Sequence, residues 1–374
     1  MSRVRRALIV GGGVAGMSAA TMLARAGVEV RLVDLDPGWR VAGAGITLTA
    51  STLRAFKALG ILDRVIDEGH THEGIRVCDV EGRPLEDVRS PPLGADIPGA
   101  GGILRPVLHR ILADGVRALG AEVRLGVGVR SVDQHESGNA AVDFTDGTQD
   151  RYDVVVGADG IHSGLRKLLF PEAPGPSFTG QACWRFTTER PPAIDRRHFF
   201  LGGRGKCGLT PVSASEMYLF YLEHVPGNPW REPGQQHVLL RSLLGEYGGV
   251  LAGVRNALGP RSQIVYRPLE AHVLRGGWSR GCAVLIGDAA HASTPQLASG
   301  AGMAAEDGIV LAEELARADS VPAALEAFVC RRFERCRMVV ENSLEIGRLE
   351  MSGAPPADQT AVVARSLAAL AAPI

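Results

Sequence analysis

The chain has 374 residues, 45 % hydrophobic and 22 % charged, with a formal net charge of −1. That length exceeds one ordinary core of about 100–200 residues and fits two domains or one large interleaved one. The near-neutral charge, with no long basic run, argues against a nucleic-acid surface, and no run of about 18 apolar residues offers a membrane span.

The N-terminal "RVRRALIVGGGVAGMSAATMLARAG" carries basic, apolar and small residues like a secretory signal. Its apolar run covers only residues 7–10, whereas a signal core needs about 7–15 residues. The segment reads instead as a strand over 7–10, a glycine turn, a helix over 17–26 stopped by Gly27, and a strand over 28–33 closing on Asp34. Gly11, Gly13 and Gly16 form G-x-G-x-x-G around Val14 and Ala15. Gly11 permits the tight turn, Gly13 lets backbone approach a pyrophosphate, and Gly16 lets helix and strand pack closely. The helix N-terminus offers free N–H groups to phosphate, and Asp34 can accept from ribose hydroxyls. This predicts dinucleotide binding without separating FAD from NAD.

A nicotinamide dehydrogenase would continue with further β-α-β units. Here "VAGAGITLTASTLRAFKALGILDRV" puts Gly43 and Gly45 before a short strand (46–49) and a helix (51–59). A hairpin follows around Glu81-Gly82, then a helix stopped at Gly120 and a strand. Two more strands flank Asp146-Gly147; the second, buried over 153–156, places Asp159-Gly160 at its carboxyl end, where open α/β sheets bind ligands, and a helix opens near Ser163. From about 178 to 267 the pattern becomes antiparallel strands, predicting a sheet domain inserted into the nucleotide domain. The chain returns with "AVLIGDAAHASTPQLASGAGMAAEDG": a buried strand (283–286), a turn of small residues holding Asp288 and His291, and a helix regular from about Met303. His291 reads as structural. Six scattered cysteines without a C-x-x-C pair argue against zinc or a redox dithiol and for the reducing cytoplasm. His70-x-His72 lacks further ligands nearby, so no metal is expected.

Three separated motifs share one resemblance. The chain is similar to the FAD-dependent aromatic hydroxylases, single-component flavoprotein monooxygenases, over roughly residues 4–348. The glycine fingerprint matches the FAD motif; "DGIHSGLR", with Asp159, Gly160, Ser163 and Arg166, matches the D-G motif; "GDAAH", with Gly287, Asp288 and His291, matches the G-D motif. The resemblance implies an α/β fold: a Rossmann-like FAD-binding domain (1–74, 101–177, 267–345), an interleaved antiparallel-sheet substrate domain (75–100, 178–266) and a C-terminal helical tail (346–374). It implies FAD contacts from Asp34, Gly45, Thr47, Arg105, Val129, Asp159, Gly287 and Asp288, with Pro295 near the reactive edge and Gly300 and Ala301 giving N–H groups to the flavin. One departure stands out: where the family reads P-x-x-G-Q-G-x-N after Pro295, this chain has Ala298, Ser299 and Gly302 in place of Gly, Gln and Asn.

The implied chemistry is hydroxylation of a small aromatic or N-heteroaromatic substrate by O₂ through a flavin C4a-hydroperoxide, with NAD(P)H as electron donor. No second glycine fingerprint is visible for that donor. Tyr218, Lys206 and Arg185 are the substrate-side candidates, in a cytoplasmic monomer or homodimer without nucleic-acid or membrane partners. Two alternatives compete: an FAD-dependent reductase or dehydrogenase that does not oxygenate, and a non-catalytic flavin-binding regulator. The halogenase pattern W-x-W-x-I-P is missing, since Arg-Phe follows Trp184.

Overall fold

The structure, a computed structural model, describes residues 4–41, 43–135 and 138–374. The first half runs β1 (Arg6–Val10), α1 (Val14–Arg25), β2 (Glu29–Asp34), β3 (Gly45–Thr49), α2 (Ala50–Ala58), α3 (Leu62–Glu68), β4 (His70–His72), β5 (Ile75–Cys78), β6 (Pro84–Val88), β7 (Ala100–Leu104), α4 (Arg105–Ala118), β8 (Glu122–Leu125), β9 (Val129–Gln134), β10 (Ala140–Phe144), β11 (Gln149–Tyr152), β12 (Val154–Gly157) and α5 (Gly164–Leu169). The second half runs β13 (Ser177–Glu189), β14 (Arg197–Phe200), β15 (Lys206–Pro211), β16 (Glu216–His224), α6 (Gln236–Leu243), α7 (Gly249–Ala257), β17 (Ile264–Ala271), β18 (Ser279–Arg280), β19 (Ala283–Leu285), α8 (Asp288–His291), α9 (Gly300–Arg317), α10 (Val321–Ser352) and α11 (Pro356–Ala371).

The apolar runs of β1, β12 and β19 are buried on both faces, as central strands of a covered parallel sheet must be. They lie in a six-stranded sheet of order β18-β19-β12-β1-β2-β8, parallel except for β18. β1, β12 and β19 come from three distant stretches of chain, so the glycine, D-G and G-D motifs that follow them emerge at the same edge. α1 and α9 cover this sheet together, and small residues let them touch: a Cβ on Gly308 would stand 2.5 Å from the Ala19 amide nitrogen.

The inserted sheet has the order β17-β13-β16-β15-β14-β5-β6, antiparallel apart from β14 beside β5. It joins residues 75–88 to 177–271. Its outer face, with Trp184, Leu219, Tyr221 and Cys207, packs on α6 and α7 in a core of its own. Its inner face, with Cys183, Tyr218, Phe220 and Leu222, meets Ala44 and Leu104 of the nucleotide-binding part. The helices α6 and α7 are absent from the strand pattern read for 178–267.

One expected boundary does not coincide with a break in the structure. α10 runs unbroken through residues 345 and 346, and only the αL residue Gly353 ends it. The tail proper is α11. Arg54 of α2 holds its C-terminal end by donating to the carbonyls of Leu370, Ala371 and Ala372. All six cysteines are free thiols, and among the described residues no helix is long and apolar enough to cross a membrane.

Candidate active site

The three motifs pack against one another through their glycines. Gly11 has φ +107°, and a Cβ there would meet the Ala158 carbonyl oxygen at 2.4 Å, so the first turn touches the end of β12. On Gly16 a Cβ would lie 1.9 Å from the Gly11 oxygen, the close packing that fingerprint position requires. Gly287, φ +58°, approaches α1 so closely that a Cβ would meet that of Ala15 at 2.6 Å. Gly13, by contrast, faces open space at the start of α1, where no side chain caps the helix. Val14 and Ala15 open that helix, so free amides and the positive dipole end point into the gap.

Asp34 ends β2 beside this turn. Its carboxylate accepts from Gly12 N at 2.7 Å and Asp36 N at 2.8 Å, which fixes its orientation. Next to it Leu35 is 70 % exposed and reaches over Gly128, the residue before Val129. This apolar ledge suits a flat adenine. Asp159 turns the other way: both its oxygens are used, one by Ser163 Oγ at 2.5 Å and one by Leu165 N at 3.0 Å. It caps α5, and Arg166 then links the D-G segment to the G-D turn through the Ala289 carbonyl.

Asp288 is open to solvent at the floor of a recess otherwise walled by protein. That surround raises its pKa through desolvation, against the pull of His291 and Arg105. Behind it, Asp307 accepts from Gly287 N at 2.8 Å and makes a 2.6 Å hydrogen bond with His291 Nε2. Arg332 donates to Asp307 at 2.8 Å and to Glu306 at 2.7 Å. Burial opposes ionisation of Asp307, but His291 and Arg332 hold its pKa at about 2. His291, Asp307 and Cys336 form a group with metal-like donors; Arg332 already supplies a cation there, so the cluster reads as an ion-pair clamp on the G-D turn. Sequence spacing gave no hint of it, because its members lie on three helices.

Beyond Asp288, Pro295 opens a short 3₁₀ turn that ends at Ala298 in the left-handed region (φ 51°). α9 then begins at Gly300. Ser299 does not cap it, since its hydroxyl donates back to Leu297 O at 2.9 Å. The amides of Gly300 and Ala301 therefore stay available. At Gly302, where the family pattern has Asn, α2 lies close: a Cβ would be 2.5 Å from Thr52 Oγ1.

β3 meets the inserted sheet at Tyr218. A Cβ on Gly45 would strike the Tyr218 ring at 2.2 Å, and Thr47 Oγ1 pairs with Tyr218 Oη at 2.8 Å. Arg105, at the start of α4, is deeply set; burial pulls its pKa down, and Arg185 adds to this while Asp288 opposes it. Tyr218, Arg185, Arg105 and Asp288 are thus gathered around one space. Lys206 reaches the same sheet face but is paired with Glu350 at 2.7 Å, whose other oxygen accepts from Gln181 at 3.0 Å and Gln296 at 3.3 Å. Its charge is already compensated, unlike the free cation the sequence suggested. A separate cavity of about 360 Å³, lined by His272, Thr294, Ser343 and Met351 among others, lies outside this recess. The glycine turns and Asp288 do not converge there, so the recess is the candidate site.

FAD fits these residues: an open amide cradle at Gly13, a ribose acceptor at Asp34, an unpartnered acid at Asp288 and uncapped amides at Gly300 and Ala301. A family model described as FAD binding domain matches residues 5–343. The chain belongs to the FAD-dependent aromatic hydroxylase family. This FAD-dependent monooxygenase is 32 % identical over 353 residues to 2-heptyl-3-hydroxy-4(1H)-quinolone synthase of Pseudomonas aeruginosa, covering 91 % of this chain and 88 % of that one. It is 33 % identical over 361 residues to 3-amino-4-hydroxybenzoate 2-monooxygenase of Streptomyces platensis, covering 91 % and 87 %. The fold of the monooxygenase is that of Klebsiella pneumoniae HpxO complexed with FAD and uric acid, with a TM-score of 0.84, 22 % identity, and coverage of 99 % and 94 %.

Proposed function

We propose that the enzyme hydroxylates a small aromatic or N-heteroaromatic substrate with O₂, using NADH or NADPH as electron donor. The observation that supports this reading is that Arg105 lies within electrostatic reach of both Asp288 and Tyr218, near the uncapped start of α9. Two relatives named for a quinolone and a hydroxybenzoate support an aromatic substrate.

FAD bound in the recess supplies redox and oxygen-activating chemistry that no side chain provides. The protein's share is binding, orientation and exclusion of water. Asp288 would accept from the ribitol hydroxyls, and Gly300 and Ala301 would present amides and a helix dipole to negative charge on the flavin pyrimidine. Pro295 would stiffen the chain beside the flavin, and Arg105, at the start of α4, would brace the cofactor. Tyr218 lies over the substrate space, its hydroxyl aligned by Thr47. The six free cysteines support a reducing, cytoplasmic setting.

The test uses purified FAD-loaded enzyme and a panel of phenolic and N-heteroaromatic compounds. A substrate accelerates NAD(P)H oxidation, and its product carries one ¹⁸O atom from ¹⁸O₂. Substrate-stimulated oxidation with no incorporated label across the panel would instead identify a reductase, and a protein that holds no FAD overturns the reading altogether.

A further inference from the structure

The cavity of about 360 Å³ beside α10 is built from both parts of the chain. Its volume lies at the low end of small-molecule sites, about 300–1,000 Å³. Phe178, Val273, Val340, Leu344 and Met351 give it apolar walls. Pro174, Gly175 and Arg348 are exposed at its rim.

Three polar side chains of the lining are buried and unsatisfied. His272, Thr294 and Ser343 are each at most 6 % exposed, and among the described residues His272 Nε2, Thr294 Oγ1 and Ser343 Oγ have no hydrogen-bond partner. They come from three distant stretches of chain. His272 follows β17, where its N–H donates to Ala292 O at 3.0 Å. Thr294 precedes the Pro295 turn, and Ser343 lies inside α10. A helical serine commonly donates back to the preceding turn. Ser366 of α11 does so, to Val362 O at 2.6 Å; Ser343 does not. Buried polar groups left unpaired are unfavourable, and three of them line one space. Water alone would reach these atoms but would also cover the apolar walls, where it finds few partners. A molecule with an apolar body and a polar edge satisfies both.

The lining also fixes the charge of that molecule. It holds no carboxylate, and its one permanent charge, Arg348, is exposed. Burial keeps the His272 ring neutral, with its pKa lowered to about 4. An ionised ligand would be desolvated there without a counter-charge. A hydroxyl group donates one hydrogen bond and accepts two, which matches the three waiting atoms in number. The cavity also touches the network around Lys206. Gln181 lines it, donates to Glu350 at 3.0 Å and accepts from Gln296 at 2.9 Å. Gly347, on the turn of α10 that carries Glu350, lies so near that a Cβ would be 2.8 Å from Gln181 Oε1.

We propose that this cavity is a second ligand site, which takes a small neutral phenol with its ring among Phe178, Leu344 and Met351 and its hydroxyl against His272, Thr294 and Ser343. The site is distinct from the recess and does not depend on the reaction run there.

The experiment measures 4-ethylphenol bound per FAD in the FAD-loaded enzyme by equilibrium dialysis, with the flavin absorbance spectrum followed in parallel as the reporter of the recess. Ser343→Leu fills the cavity and lowers the bound phenol by one per FAD, while FAD content and the spectral response to the phenol stay unchanged. Ser343→Ala keeps the site but weakens it about 3- to 10-fold, the range for a neutral hydrogen bond. 4-Ethylanisole, which has no hydroxyl to donate, binds this site correspondingly more weakly, and 4-ethylbenzoate does not occupy it. Should Ser343→Leu fail to hold FAD, Met351→Trp fills the same space and serves as the second variant. A stoichiometry that neither filling variant lowers would overturn the proposal, because all the phenol would then lie in the recess. So would the absence of any phenol beyond that reported by the flavin, which would leave the cavity to water, or 4-ethylbenzoate bound as tightly as the phenol. No turnover is needed, so the outcome is separable from the ¹⁸O test.

Discussion

The hydroxyls of Thr47 and Tyr218 lie 2.8 Å apart and join the strand beside the flavin recess to the sheet that roofs it. Thr47 is 6 % exposed and Tyr218 likewise, so neither hydroxyl finds water if the other is lost. Tyr218→Phe leaves Thr47 with only the longer 3.4 Å contact to Thr210. Removing one partner of a buried hydrogen bond costs about 1–3 kcal/mol. The variant should fold and hold FAD, yet let the roof shift. More NAD(P)H should then be consumed per hydroxylated product, read as a rising peroxide yield. Thr47→Val should give the same uncoupling, and full coupling in both would remove the pair from the chemistry.

A second prediction concerns Gly302. Restoring the family's residue by Gly302→Asn places a Cβ 2.5 Å from Thr52 Oγ1. Overpacking of this kind costs about 1–3 kcal/mol, so the melting temperature should fall. Thr52→Ala in the same chain removes the oxygen and should recover part of the loss. An unchanged melting temperature in the single variant would show that α2 and α9 are not held this close.

Acid lability follows from two buried imidazoles. Burial lowers the pKa of His72 to about 4, and also that of His272, each from 6.5. Below pH 6.5 the unfolded chain binds protons that the folded chain refuses. Their stabilisation is therefore complete above pH 6.5, declines as the pH falls, and is gone near pH 4. The slope is about 1.4 kcal/mol per pH unit for each group. Urea unfolding between pH 7 and 4.5 should show this loss, and the double variant His72→Gln/His272→Gln should flatten it. A wild-type curve that is flat over that range would contradict the burial of neutral rings.

The nucleotide half was legible in the sequence because its rules are local. The strand, the glycine spacing and Asp34 fall within 30 residues, and each glycine's task is set by backbone close by. Gly302 was legible only as an anomaly: its cause, Thr52, lies 250 positions away on another helix. The clamp of Asp307, His291 and Arg332 and the neutralisation of Lys206 by Glu350 are long-range pairings that no periodicity encodes. The helices α6 and α7 were missed for another reason: the stretch that holds them was classed with the strands flanking it.

The last prediction separates cofactor binding from folding at Asp288. Desolvation raises its pKa, and among the described residues no side chain donates a hydrogen bond to it. An acid in that state contributes nothing to the empty protein and is a mild liability. Asp307, 19 positions on, is the reverse: it accepts from Gly287, His291 and Arg332. Asp288→Ala should therefore leave the FAD-free melting temperature unchanged or slightly raised while FAD affinity falls about 10- to 100-fold, the range for a charged hydrogen bond of about 1.5–3 kcal/mol. Asp307→Ala should lower the melting temperature itself, because it leaves Arg332 facing a half-emptied clamp at a cost of about 3–5 kcal/mol. Thermal melts with and without added FAD read both effects. If Asp288→Ala retains FAD like the parent, the ribitol contact is wrong. If it melts lower without FAD, the residue supports the fold rather than the cofactor.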